Sequence, residues 1–233
     1  MTRAARGGAR IVLVEDHVLF AESLELALDL EGHDASSVSP NAFTSAQALL
    51  SRVLRLRPGV VLLDLDLGAL GDGRLLIAPL VESGAQVVVV TAATDRARWG
   101  ECLALGARRV LPKSGSLNEI LATIRRLDQG LPVLSADERN ALIALARQQS
   151  RERADARERL ERLTPREGEV LGRLMRGETV REIAARFVVS DATVRTQVKS
   201  ILAKLAVSSQ IAAVGLANRA EWQPPGGGGA AGA

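Results

Sequence analysis

Val60-Val61-Leu62-Leu63-Asp64-Leu65-Asp66 is an unbroken aliphatic run that stops at two carboxylates separated by one leucine. No polar residue alternates within it, so the strand it predicts is covered on both faces, as in a parallel sheet flanked by helices. The same pattern recurs outward along the chain. Ile11–Val14 ends in Glu15-Asp16, Val87–Val90 ends in Thr91, and Arg109–Leu111 ends in Pro112-Lys113, with a weaker strand expected near Ala35–Val38. Between the runs, apolar residues fall at helical spacing, as at Leu19, Phe20, Leu24, Ala27 and Leu28. This alternation predicts an α/β domain with a five-stranded parallel sheet over residues 10–130. Ligands of such sheets sit outside the carboxyl ends of the strands. At that edge the sequence delivers Asp16, Asp64, Thr91 and Lys113 from different strands.

Glu15, Asp16 and Asp64 would share one pocket, an arrangement that is costly unless a cation neutralises it. A hard, oxygen-preferring ion such as Mg2+ fits that requirement. Lys113 offers an ammonium and Thr91 a hydroxyl, both suited to a phosphoryl group that a carboxylate attacks in line. His17, beside the acidic pair at the start of a helix, reads as a bystander. Cys102, between leucines, reads as a buried small apolar residue.

Residues 131–162 are rich in Arg, Glu, Asp, Ala and Leu, with opposite charges spaced three or four apart, which predicts a stiff, charged helical linker. A second, all-helical domain is expected over 163–222. Thr164-Pro165-Arg166-Glu167 and Thr179-Val180-Arg181-Glu182 are both helix-opening capping boxes. Ser190 is placed to cap a further helix to about Leu205, and a fourth is expected from near Ser208 to about Arg219. On a wheel of residues 191–205, Val194, Val198, Ile201, Leu202 and Leu205 cluster on one side, while Thr196 and Lys199 face away and Arg195 sits at the edge. A short helix, a tight turn and such a helix form a helix-turn-helix, whose second helix can enter the major groove of double-stranded DNA. A solvated charged face on an ordinary helical bundle has the same pattern. Basic residues 1–9 and the Pro/Gly-rich 223–233 are expected as disordered tails.

The first region resembles the receiver domain of two-component response regulators. The resemblance rests on Ile11-Val12-Leu13-Val14-Glu15-Asp16-His17, the run through Asp64-Leu65-Asp66, Val90-Thr91-Ala92, and Gly106-Ala107 to Leu111-Pro112-Lys113. It implies a flavodoxin-like fold with Asp64 as phosphoacceptor. Glu15 and Asp16 would be the acidic Mg2+ pair, and the backbone carbonyl of Asp66 a further ligand. Thr91 and Lys113 would act on the phosphoryl group. Three departures stand out: Val110 replaces the usual switch aromatic, Pro112 precedes the lysine, and the loop after Asp64 lacks the usual Met-Pro and is one residue longer. The last region is similar to the LuxR-type helix-turn-helix, through Leu163-Thr164-Pro165-Arg166-Glu167, Gly177, Glu182-Ile183-Ala184, Thr193-Val194 and Lys204-Leu205. That similarity implies DNA contacts from Arg195, Thr196 and Lys199, with Thr193 and Lys204 on the backbone. Together the two regions resemble the NarL/FixJ class. The class implies a sensor histidine kinase as partner, a homodimer when active, and transcriptional regulation in the cytoplasm rather than enzymatic turnover. Two alternatives stay open: an atypical receiver that binds DNA without phosphate control, and a phosphatase using Asp64-x-Asp66.

Composition narrows the field further. Aromatic residues are 2% of the 233-residue chain and there is no Tyr, which excludes base stacking on single strands as the main binding mode. One cysteine and two histidines exclude a clustered zinc site and an internal disulfide. The apolar runs fall short of the roughly 20 residues that span a bilayer, and no apolar segment follows the basic start, so neither a membrane span nor a secretory signal is expected. The net charge of +3 conceals an acidic excess over 10–130 and a basic excess over 163–233, the distribution of a regulator joined to a polyanion binder.

Overall fold

The computed structural model describes residues 9–224, so the tails expected at 1–9 and 223–233 lie outside the described residues apart from their inner ends. The chain forms two compact units that divide between residues 147 and 148. The first contains β1 (Ile11–Val14), α1 (Val18–Leu30), β2 (Ala35–Val38), α2 (Ala46–Arg55), β3 (Val60–Leu63), α3 (Arg74–Glu82), β4 (Gln86–Thr91), α4 (Arg96–Ala104), β5 (Arg109–Pro112) and α5 (Leu117–Asp128). All strand pairings are parallel, in the order β2-β1-β3-β4-β5.

Alternate residues of each strand feed the two faces of the sheet. Val12, Val14, Val61, Leu63, Val87 and Val89 pack toward one core with residues of α2, α3 and α4. Ile11, Leu13, Val60, Leu62, Val88 and Val90 pack toward the other, with α1 and α5. Both faces are buried, which is why the strands read as unbroken aliphatic runs. Val14 is in register with Leu63, so Glu15-Asp16 and Asp64 leave neighbouring strands side by side. Pro112 is tolerated because β5 is an edge strand; the next residue, Lys113, donates its backbone N–H to Thr91 O at 2.8 Å.

The stretch expected as a linker carries a single 26-residue helix, α6 (Ala136–Glu161). Its beginning belongs to the first unit, where Leu142 is buried in the core and Arg139 donates to the carbonyls of Leu103 (2.7 Å) and Ala107 (3.0 Å). Its end belongs to the second unit, with Ala156 and Leu160 in that unit's core. The second unit continues with α7 (Pro165–Met175), α8 (Val180–Phe187), α9 (Asp191–Leu205) and α10 (Gln210–Arg219). Both capping boxes are formed, at Thr164/Glu167 and Thr179/Glu182. Ser209 caps α10, one residue beyond the position expected. Among the described residues, no single helix is long and apolar enough to cross a membrane.

Candidate functional site

Asp64 follows β3 directly, and its side chain is almost wholly enclosed at the base of an open cleft of about 360 Å3. The loop after it folds back closely. Gly73 donates its N–H to Leu65 O at 2.8 Å, and a Cβ at Gly73 would collide with the carbonyl oxygen of Asp64. Lys113 reaches in from the end of β5 and donates to Asp64 Oδ2 at 2.7 Å and Glu15 Oε1 at 2.6 Å. Burial alone would favour the neutral amine; the bonds to Asp64 and Glu15 outweigh it and raise the Lys113 pKa. Thr91 is buried at the end of β4, lines the same cleft, and accepts the N–H of Ala93 at 3.1 Å. Asp66 also lines the cleft; its Oδ1 accepts from Gly68 N at 3.0 Å.

Glu15, Asp16, His17 and Asp64 each present a ligand atom within 4.8 Å of the others. Three carboxylates at this spacing suit a hard divalent cation better than any arrangement of neutral groups. Lys113 partly offsets their charge. His17, read from sequence as a bystander, is part of this cluster: its Nδ1 lies 2.7 Å from Asp16 Oδ1 and 3.0 Å from Glu15 Oε1. The Glu15 bond, helped by Asp16 and opposed by Lys113, holds the imidazole protonated to higher pH than usual.

Sequence reading missed two further cleft residues, Asp72 and Arg98. Asp72 is bonded by Arg74 through Nε (2.7 Å), Nη2 (2.6 Å) and the backbone N–H (3.0 Å), and Arg98 Nη2 approaches it at 3.3 Å. Arg74 also ion-pairs with Glu101 of α4. A signal for Arg98 was present in the sequence. Arg96 and Arg98 place cations in the first turn of α4, where the helix dipole disfavours them. Val110, the position lacking the aromatic, is buried in the core.

In the second unit, α9 buries Val194, Val198, Ile201 and Leu205 and exposes Thr193, Arg195, Thr196 and Lys199. Three of the expected contacts are not free side chains. Thr193 Oγ1 shares a 2.9 Å hydrogen bond with Ser190 Oγ, Thr196 Oγ1 donates to Ala192 O at 3.0 Å, and Lys204 Nζ is bound to Glu167 Oε2 at 2.6 Å. Glu167 is a buried hub that joins the start of α7 to α9. It accepts from Thr164 N (2.7 Å), Thr164 Oγ1 (3.0 Å), Ser200 Oγ (2.7 Å) and Lys204 Nζ. Burial pushes its pKa up, but the Lys204, Thr164 and Ser200 bonds prevail and bring it down to about 2.

Residues 11–125 match the response regulator receiver domain family, and residues 161–217 match the bacterial regulatory proteins of the luxR family. A relative from Mycobacterium tuberculosis, the probable transcriptional regulatory protein NarL, is 32% identical over 212 residues, spanning 90% of this chain and 94% of the relative. The chain belongs to the NarL/FixJ class of response regulators. The regulator is also 27% identical to the nitrate/nitrite response regulator protein homolog of Haemophilus influenzae, over 88% of this chain and 93% of that one. A solved structure of the two-component response regulator RcsB in complex with DNA aligns with 91% of the regulator and 99% of its own chain, at 23% identity and a TM-score of 0.49. The five-stranded parallel sheet of the first unit falls within the receiver-domain match, and the helices α7–α10 of the second unit coincide with the luxR-family match.

Proposed function

We propose that this regulator is a DNA-binding transcriptional regulator controlled by phosphorylation of Asp64. The observation that carries the reading is the Asp64 carboxylate at the base of an open cleft, paired with Lys113 and adjacent to Glu15 and Asp16. A carboxylate oxygen of Asp64 forms the new bond to phosphorus as the bond from phosphorus to the imidazole nitrogen of a sensor kinase's phosphohistidine breaks. The imidazole leaves and takes up a proton. Lys113 balances charge on the acceptor, and Thr91 supplies a hydroxyl to a phosphoryl oxygen. Glu15, Asp16 and Asp64, with the backbone carbonyl of Asp66, would hold Mg2+, which when bound neutralises the crowded carboxylates and the incoming phosphoryl oxygens.

The output is α9. Arg195 and Lys199, with Thr193 and Thr196 beside them, form its polar exposed face, suited to phosphates and base edges in the major groove of double-stranded DNA. A homodimer on two half-sites, in the cytoplasm, is the active form this reading requires. A phosphatase using Asp64 and Asp66 would leave this second unit without a role.

The test is intact mass after incubation with a small acyl-phosphate donor and Mg2+. One phosphoryl group on the wild type and none on Asp64→Asn is the expected result. A folded wild type that takes no phosphoryl from either that donor or a cognate kinase would overturn phosphate control and favour a receiver working without it.

A further inference from the structure

We propose that Arg98 is a positioning residue that binds the phosphoryl group on Asp64 and couples its arrival to α4 and the start of α6. The proposal rests on the phosphoacceptor reading above and addresses what that reading lacks, a transmission element in place of the aromatic missing at Val110. Arg98 lines the cleft together with Asp64, Thr91 and Lys113. Its Nε is buried and has no hydrogen-bond partner among the described residues, an unmet cost for a charged donor. Its ion pair among the described residues, to Asp72 at 3.3 Å, is long, and Asp72 already receives the shorter bonds of Arg74. The guanidinium is therefore held weakly beside an anion site, with a donor to spare. A phosphoryl group carries more negative charge than Asp72 and presents several acceptor oxygens, so it competes well for Arg98. Asp72 meanwhile keeps Arg74.

The two residues that follow carry the effect along α4. Trp99 donates its indole N–H to Ala93 O at 2.8 Å, tying the helix to the loop that leaves Thr91. Gly100 faces α6 so closely that a Cβ there would collide with the carbonyl oxygen of Leu142 and press on Ala146. Arg139 of α6 bonds the carbonyls of Leu103 and Ala107 at the other end of α4. With no side chain to cushion the Gly100 contact, a small movement of α4 toward the cleft changes the seating of α6.

The experiment uses the full chain with Trp222→Phe, so that Trp99 is the only indole. Fluoroberyllate with Mg2+ serves as the phosphoryl mimic. Binding is read by 19F NMR and the response by Trp99 emission. In the otherwise wild-type chain both change together. Arg98→Ala is expected to weaken fluoroberyllate binding about tenfold or more and to abolish the emission change, and Arg98→Lys to recover part of the binding. Asp72→Asn, which can still accept the backbone N–H of Arg74 but releases Arg98, is expected to tighten binding. Unchanged binding and emission in Arg98→Ala would overturn the proposal. So would equal weakening by Arg98→Ala and Asp72→Asn, the result for a merely structural ion pair. A wild type that takes neither fluoroberyllate nor a phosphoryl group would instead overturn the phosphoacceptor reading, and this proposal with it.

Discussion

Glu167 shows what one carboxylate does when it is buried with enough donors. Desolvation alone would raise its pKa, yet Lys204, Thr164 and Ser200 together hold it ionised down to about pH 2. A carboxyl group with a depressed folded-state pKa adds stability that is complete above its unfolded value and is lost as pH falls toward the folded one. The second unit is therefore expected to lose stability between about pH 4.5 and about pH 2 through this group. Glu167→Gln should cost about 1–3 kcal/mol at neutral pH and flatten that acid limb, as thermal unfolding of the second unit against pH would show. An unaltered acid limb would assign the loss to other carboxylates. The same pairing sets the ranking of cations for DNA. Arg195→Ala should weaken operator binding by about 1–3 kcal/mol, whereas Lys204→Ala should act mainly by leaving Glu167 without its charge partner. Titration of both variants at fixed salt, with melting curves alongside, tests the distinction; equal losses with no change in melting would place Lys204 on DNA as directly as Arg195.

Strands and helix starts were legible because single residues determine them. An aliphatic run buried on both faces has no polar alternation, and Thr followed three residues later by Glu closes a capping box by local geometry. Asp64, Lys113 and Thr91 were legible for the same reason, since each ends a strand of one sheet. Arg98 with Asp72, Lys204 with Glu167 and α4 with α6 were not. Each depends on how far a long side chain reaches, or how closely two helices approach, and no local periodicity encodes that. The sequence predicts the turn between α8 and α9 but not its strain: Val188 has φ 53° and ψ 47°, a left-handed conformation that a β-branched residue adopts only at a cost. Its side chain is 91% exposed, so almost no packing offsets that cost. Val188→Gly is accordingly expected to stabilise the second unit by about 1 kcal/mol, read as a higher urea midpoint with an unchanged slope. A destabilised variant would mean that the exposed valine contributes a contact the turn requires.

Across the whole chain, charge is divided between the two units according to what each must hold. The second unit turns Arg195 and Lys199 outward on α9, so its complex with DNA should weaken as salt rises, in proportion to the phosphates neutralised. The first unit has the opposite problem. Glu15, Asp16 and Asp64 crowd together with Lys113 as their cationic partner at the cleft, and a divalent ion that binds only the folded pocket must stabilise it. Mg2+ at a hundredfold excess over its dissociation constant would add about 2.7 kcal/mol, a rise of several degrees in the melting of a domain this size. Asp16→Asn removes one anion and one ligand at once. In EDTA it is expected to melt no lower than the wild type, because repulsion is relieved, and in Mg2+ it should show little or none of the wild-type gain. Differential scanning calorimetry of both proteins, with and without Mg2+, assigns any gain to the first or the second unit by which transition moves. A wild-type first transition indifferent to Mg2+ would leave Lys113 and His17 to compensate the carboxylates and would remove the metal from the proposed chemistry.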